Sequence, residues 1–149
     1  MYKICREIKN KQSSNLMSKV KPSEARSAET ALWVPHPRTG IYYPKGFEWV
    51  DCNDAPASVI SLLRKGKSAE DAMLIACNFT PVPRVGYMVG VPSDGYWKEI
   101  LNSDAKEYGG TGIGNMGGAE AMPNGTHGRP YSLWLTLPPL GALFLKRSS

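Results

Sequence analysis

Cysteine, histidine and long apolar runs are all scarce in this chain of 149 residues. Cys5, Cys52 and Cys77 form an odd set with no CxxC spacing and no paired His, which argues against a disulfide framework and against a zinc site. A reducing, cytosolic setting fits that pattern. His36 and His127 are the only imidazoles, and neither has a Ser or Cys beside it in a nucleophile motif. His127 precedes Gly128-Arg129 just before an expected strand, where a structural hydrogen bond at a loop end is the favoured role. No apolar stretch approaches the roughly 20 residues of a membrane span, and the N-terminus lacks the apolar centre of a signal peptide. The chain is therefore expected to be soluble and cytoplasmic, with no membrane partner. Met1 to Lys21 has more Lys than Arg and too few apolar positions for an organelle transit peptide. The triplets Asn78-Phe79-Thr80 and Asn124-Gly125-Thr126 match the glycosylation pattern, which has meaning only in a secreted protein.

What is present is globular: 42% hydrophobic and 21% charged residues, in a length that suits one ordinary domain. Charge is uneven. Residues 1–45 hold nine Lys/Arg against three Asp/Glu, whereas residues 46–149 hold nine against ten. The basic segment intersperses Lys with Ser, Asn and Gln, the pattern of a solvated arm rather than of a nucleic-acid surface. Only Ile4/Ile8 and Leu16/Val20 fall at helical spacing there, too little to build a core. From Ala31 to Lys45 three prolines and a glycine preclude a long helix, while Trp33, Tyr42 and Tyr43 offer packing surface. Residues 1–45 are expected to be a disordered or loosely docked arm.

Short strands with Pro/Gly turns fill the remainder: Ser58–Arg64, Ala72–Phe79, Val85–Val91, Tyr96–Leu101, Tyr131–Leu137 and Ala142–Lys146. Ala72 to Phe79 is continuously apolar, as expected of a central strand covered on both faces. Pro92-Ser93-Asp94-Gly95 suggests a hairpin joining the strands on either side of it. Between Ala105 and Gly128 the pattern lapses into a long loop, with seven glycines from Gly109 to Gly125 and room for a short edge strand near Ala119–Met122. Gly112 to Gly117 spells GxGxxG, but no strand leads into it and the segment after it is too short for the required helix, so no cofactor is implied. The expected fold is all-β, an antiparallel β-sandwich over residues 46–149. Its core is expected to contain Ile60, Leu62, Leu74, Ile75, Val89, Ile100, Leu133, Leu135, Leu143 and Leu145.

The succession Gly46-Phe47-Glu48-Trp49, Asp51-Cys52-Asn53-Asp54, Leu63-Arg64-Lys65 and Cys77-Asn78-Phe79-Thr80-Pro81-Val82-Pro83-Arg84 continues through Gly90-Val91-Pro92 and Glu99-Ile100-Leu101-Asn102-Ser103-Asp104. It ends with Tyr108-Gly109-Gly110, His127-Gly128-Arg129-Pro130-Tyr131-Ser132-Leu133 and Leu135-Thr136-Leu137-Pro138-Pro139-Leu140. In order and spacing this resembles the C-terminal domain of bacterial glycogen (1,4-α-glucan) branching enzymes of the α-amylase superfamily, across 104 residues. The resemblance implies a β domain that flanks and supports a (β/α)8 barrel, in enzymes that move α-1,4 chains into α-1,6 branches. The barrel, about 250 residues in this superfamily, would supply the two carboxylates of glycoside chemistry. This sequence shows no such barrel, so the expected protein is a detached β domain without transferase activity of its own. Asp51, Asp54, Glu99 and Asp104 are read as solvated or turn-capping carboxylates.

Aromatic rings can stack on the apolar face of a sugar, which makes Tyr96, Trp97, Tyr108 and Trp134 candidates for glucan contact. Core packing is the better reading of Tyr96 and Tyr87. In Tyr131–Leu137 the apolar set Tyr131, Leu133, Leu135 and Leu137 takes one face, which places Trp134 with Ser132 and Thr136 on the other. The branching-enzyme pattern has a small polar residue where Trp134 stands. Trp134 is then a sugar platform, an oligomer contact or cover for an interdomain surface, with contact or cover favoured. Trp49 and Phe47, at the domain boundary, join it in an expected interdomain or self-association patch. A second resemblance runs over Ala31 to Gly46, whose WVPHPRTGIYYPKG run is similar to late embryogenesis abundant proteins. It implies the alternative of a hydrophilic protective protein. A gene fragment or fusion without its own function is the third alternative.

Overall fold

The computed structural model describes residues 33–35, 42–44, 46–68 and 71–148. The chain forms two units, Met1–Phe47 and Glu48–Ser149. In the first, β1 (Trp33–Pro35) pairs antiparallel with β2 (Tyr42–Pro44), Trp33 standing opposite Pro44. The rest of the expected arm, including Ile4, Ile8, Leu16, Val20 and His36, lies outside the described residues.

Eight strands follow: β3 (Phe47–Asp51), β4 (Val59–Arg64), β5 (Met73–Asn78), β6 (Arg84–Val91), β7 (Tyr96–Asn102), β8 (Gly118–Glu120), β9 (Tyr131–Leu137) and β10 (Ala142–Arg147). They make an antiparallel β-sandwich. One sheet has the order β3-β4-β5-β10-β7-β8, and the other is the pair β6-β9. The expected strands agree with these bounds to within a residue or two, and the short edge strand of the glycine-rich loop is β8. β3 was not foreseen.

The core is the set of inward faces. Val59 and Leu63 of β4, Leu74 and Ala76 of β5, and Leu143 and Leu145 of β10 meet Val89 and Val91 of β6 and Leu133, Leu135 and Leu137 of β9. Because side chains alternate between faces, these residues sit two apart on each strand, or four apart on β4, where buried Ser61 lies between Val59 and Leu63. Trp97 completes the cluster from β7, with no exposed surface and its indole N–H donating to the Ser93 carbonyl at 3.3 Å. Asn78 closes the end of the sandwich. Fully buried, it donates through Nδ2 to the carbonyls of Val82 (2.8 Å) and Pro138 (3.0 Å), and its Oδ1 accepts from the amide and hydroxyl of Thr80.

Three expectations are corrected here. β6 and β7 do not form a hairpin: β6 pairs with β9 and β7 with β10 and β8, so Pro92–Gly95 is a crossover between sheets. Both strands place apolar side chains in the same core, which opposite sheets accomplish. Of the expected core residues, Ile60, Leu62 and Ile75 lie half-buried on the outer face of the large sheet, and Ile100 is 48% exposed. In their place stand Val59, Ser61, Leu63 and Ala76, one residue out of phase. Finally, β5 alternates between half-buried and buried positions, so only one of its faces is fully covered.

Candidate functional site

The outer face of the large sheet follows from that shifted phase. Register places Leu62 opposite Ile75, Ile75 opposite Phe144, and Phe144 opposite Leu101, an apolar row across four strands. Ile60, Cys77 and Ala142 form a second row beside it. Leu62, Ile75 and Phe144 are half-buried and Leu101 is 39% exposed. A strand apolar on both faces belongs between two layers, yet among the described residues the second sheet covers only one side. At one border Arg64, Met73, Lys146 and Lys98 share a row, and Lys146 reaches Asp71 at 3.2 Å. The Cys77 thiol is pushed up in pKa by burial, which keeps it protonated and weakly nucleophilic on this face.

A second surface lies on the outside of the small sheet. Trp134, 58% exposed, stands opposite Met88. Its six-membered ring reaches over Gly86, where an added Cβ would lie 3.8 Å from ring carbon Cε3. Gly86 has φ +67°, a conformation that glycine adopts without strain, and it sits where the β6–β9 register slips between Arg84 and Tyr87. Ser132, on the same face as Trp134, donates its hydroxyl to Asn124 at 3.0 Å, and Met122 bridges to the Ser132 backbone. On the other side Asn115 accepts from the Thr136 amide at 2.7 Å and donates to the Thr136 carbonyl at 3.3 Å.

The expected contact residues separate. Trp134 points outward, as the alternation of β9 implied. Tyr108 is 68% exposed at the 3-10 turn Lys106–Tyr108. Trp49 and Phe47 are half-buried on β3. Trp97 is corrected: it is the largest core side chain and offers nothing to a ligand. Tyr96, read as core, is instead 41% exposed, its ring lying against Gly118. The residues that sequence reasoning missed as a surface are Ile60, Leu62, Ile75 and Phe144. The signal was present in the unbroken apolar run of β5.

The polar groups are spent on structure. Asp54 accepts from the Ala57 amide at 3.1 Å and from the Tyr87 hydroxyl at 2.7 Å, and burial first, then that hydrogen bond, drives the Tyr87 pKa far upward. Asp104 accepts from the amide and hydroxyl of Thr111 and from the Ile113 amide, and these bonds hold its carboxyl below the usual range. Glu99 accepts from the amide and side chain of Asn115. Asp51 accepts from the Asn53 amide. Asp51 and Asp54 cap turns and Asp104 the loop that follows it, as expected, whereas Glu99 reaches from the middle of β7 to Asn115 sixteen residues on. His127, at φ +52°, accepts the Gly90 amide on Nδ1 at 3.3 Å, with Nε2 3.8 Å from Asp51, which is the structural loop-end role expected of it. Glu48 is paired with both Arg129 and Lys65. Among the described residues no group of three His, Cys, Asp or Glu side chains could hold a metal ion, and no helix is long and apolar enough to cross a membrane.

Comparison with known proteins identifies this sandwich. The family described as "Alpha amylase, C-terminal all-beta domain" matches residues 49–148, two-thirds of the chain. The chain belongs to that family. The alpha amylase C-terminal all-beta domain begins within β3 and ends at the last described residue. Its relatives include the 1,4-alpha-glucan branching enzyme GlgB of Aquifex aeolicus, 60% identical over 105 residues that make up 70% of this chain and 17% of the relative. The GlgB of Albidiferax ferrireducens is 52% identical over 105 residues, again 70% and 17%. That of Burkholderia thailandensis is 52% identical over 99 residues, 66% of the chain and 12% of the relative. The chain thus spans about one-sixth or less of the length of these curated relatives. A separate family, late embryogenesis abundant protein of the LEA_3a subfamily, matches residues 4–62, mostly outside the described residues.

Proposed function

We propose that this chain acts as the C-terminal β module of 1,4-α-glucan branching chemistry: a non-catalytic domain that docks on a catalytic body through the outer face of its large sheet. The observation that carries this reading is the 60% identity to a branching enzyme over a segment that is only 17% of that enzyme. A domain so similar to one-sixth of an enzyme keeps the surface by which it met the remainder, and the apolar rows around Leu62, Ile75 and Phe144 supply such a surface. The carboxylates support the absence of transferase activity in this domain, since each is tied to a local turn or loop rather than facing a partner across a cleft. A cytoplasmic setting is supported by Cys77, a free thiol on the outer face of the large sheet.

The test has two parts. Purified chain incubated with amylose should leave its α-1,6 branch content unchanged, and a rise would overturn the non-catalytic reading. The Aquifex aeolicus enzyme shortened by its matching segment should co-elute with this chain in gel filtration and not with an Ile75→Glu variant. Failure of both wild type and variant to co-elute would overturn the docking reading.

A second reading rests on the LEA_3a match at residues 4–62: a hydrophilic protective protein with the β domain as passenger. Such chains stay unfolded because they bury little apolar surface, whereas residues 59–145 bury a cluster of fourteen side chains. A chain that stays soluble and unfolded after boiling favours this second reading. A cooperative melt favours the first.

A further inference from the structure

The Trp134 surface is separate from the proposed docking face, on the other sheet, and a docking role does not account for it. The small sheet turns Leu133, Leu135 and Leu137 inward, so the position between them has no core to fill, yet it carries the bulkiest of side chains. Gly86 faces the six-membered ring across a gap in which an added Cβ would sit at ordinary contact, 3.8 Å from Cε3, and 58% of the Trp134 residue is open. Met88 stands opposite and Met122 bridges to Ser132 beside it, and the polar groups between them are short of partners. Among the described residues Asn124 spends its amide NH2 only on the Met88 sulfur at 3.9 Å, a weak acceptor. The Thr136 hydroxyl stands two residues along the same face.

Backbone groups add to this rim. N–H and C=O of alternate residues of a strand point to the same edge. Those of Ser132 are engaged by Met122 and those of Thr136 by Asn115. Trp134 lies between them, its N–H and C=O directed to that edge and engaged by neither cross-link. An exposed flat ring with a donor and an acceptor of the backbone beside it, and amide and hydroxyl groups at either end, matches the two-sided chemistry of a pyranose: apolar C–H face, hydroxyl edge.

We propose that Trp134 is the stacking platform of a surface site for an α-1,4-linked glucose chain, with Asn124, Thr136 and the Trp134 backbone bonding the sugar hydroxyls. The choice of glucan rests on the function proposed above; the geometry of the platform does not. A second copy of the chain would need far more than the indole. A stable dimer needs about 800 Å² from each partner, and the exposed part of one Trp supplies roughly 150 Å².

Native electrophoresis through gels containing amylose, dextran or no polysaccharide tests this, with sedimentation in parallel. Wild type should be retarded by amylose and not by dextran, which is α-1,6-linked. Trp134→Ser should run at its ligand-free mobility, at least a tenfold loss of affinity, and Trp134→Phe, which keeps a smaller ring and guards against a folding failure, should fall between. Asn124→Ala should weaken retardation without abolishing it. Absence of retardation in the wild type overturns the proposal, as does retardation that survives Trp134→Ser or is equal in dextran. A dimer that Trp134→Ser dissociates, with no amylose retardation, assigns the indole to self-association and likewise overturns it. Failure of the docking and branching tests alone leaves amylose retardation as the measurement on which this proposal stands or falls.

Discussion

Leu62 and Leu63 are adjacent in sequence and opposite in position, so truncating each in turn measures which face of β4 is the core. Leu63 is essentially inaccessible and packs in the central cluster, so Leu63→Ala removes its buried methyl groups and leaves a cavity between sheets. Buried Leu→Ala changes cost about 2–5 kcal/mol, and ~3 kcal/mol is expected here because Leu74 and Leu145 are held by their own strands and do not collapse into the gap. Leu62 is half-buried on the open face, so Leu62→Ala forfeits part of the transfer term and creates no cavity, about 1 kcal/mol. The difference of ~2 kcal/mol is roughly 30-fold in the unfolding equilibrium. Urea unfolding followed by far-UV circular dichroism resolves it, provided both variants keep the wild-type denaturant slope. Equal costs, or the larger cost at Leu62, would refute the phase of β4 and with it the outer apolar face on which docking is proposed.

Asn78→Ala removes a buried side chain making four hydrogen bonds and takes the side-chain donor from the Pro138 carbonyl, while the Val82 carbonyl keeps the Thr80 hydroxyl at 3.1 Å; about 3 kcal/mol should be lost in the same urea assay. Ser61 is fully buried with a hydroxyl that has no hydrogen-bond partner among the described residues, so Ser61→Ala should raise stability by roughly 1 kcal/mol, and a loss would show that the hydroxyl is satisfied. The Asp104 carboxyl is held low chiefly by the Thr111 hydroxyl and amide and also by the Ile113 amide. Its contribution is complete above the ordinary carboxylate range and lost as pH falls through the lowered value. Hydrogen exchange at Thr111 and Ile113 should therefore accelerate only in that acid window, and Asp104→Asn should abolish the transition. A carboxyl midpoint at or above the ordinary value of about 3.9 refutes this.

Strand positions were legible in the sequence because Pro, Gly and Asx residues punctuate them. The outward position of Trp134 was legible because Tyr131–Leu137 alternates cleanly. β4 was not: Val59-Ile60-Ser61-Leu62-Leu63 is apolar on both faces apart from Ser61, and a serine in the core inverts the obvious phase. Trp97 was misassigned for a related reason, since residue type does not reveal which face an aromatic takes, and the slip at Phe144/Leu145 shifts β7 against β10. The false hairpin came from proximity in sequence. Which strands pair is decided by long-range partners, and β9, 40 residues after the β6 end, carries the inward leucines that β6 needs. The family was legible because its motifs are local.

Asn115 presents to Thr136 an acceptor and a donor, at 2.7 and 3.3 Å, in the arrangement of a peptide group. In effect a single side chain impersonates a neighbouring strand along the outer margin of β9. An unguarded margin of this kind recruits strands from other molecules, and the small sheet, being only two strands wide, has no further strand of its own to offer. The glycine-rich segment that delivers Asn115 and Met122 to the margin therefore works as a stopper against chain-to-chain growth. The sandwich stays finite because a loop, rather than a strand, finishes its smaller sheet.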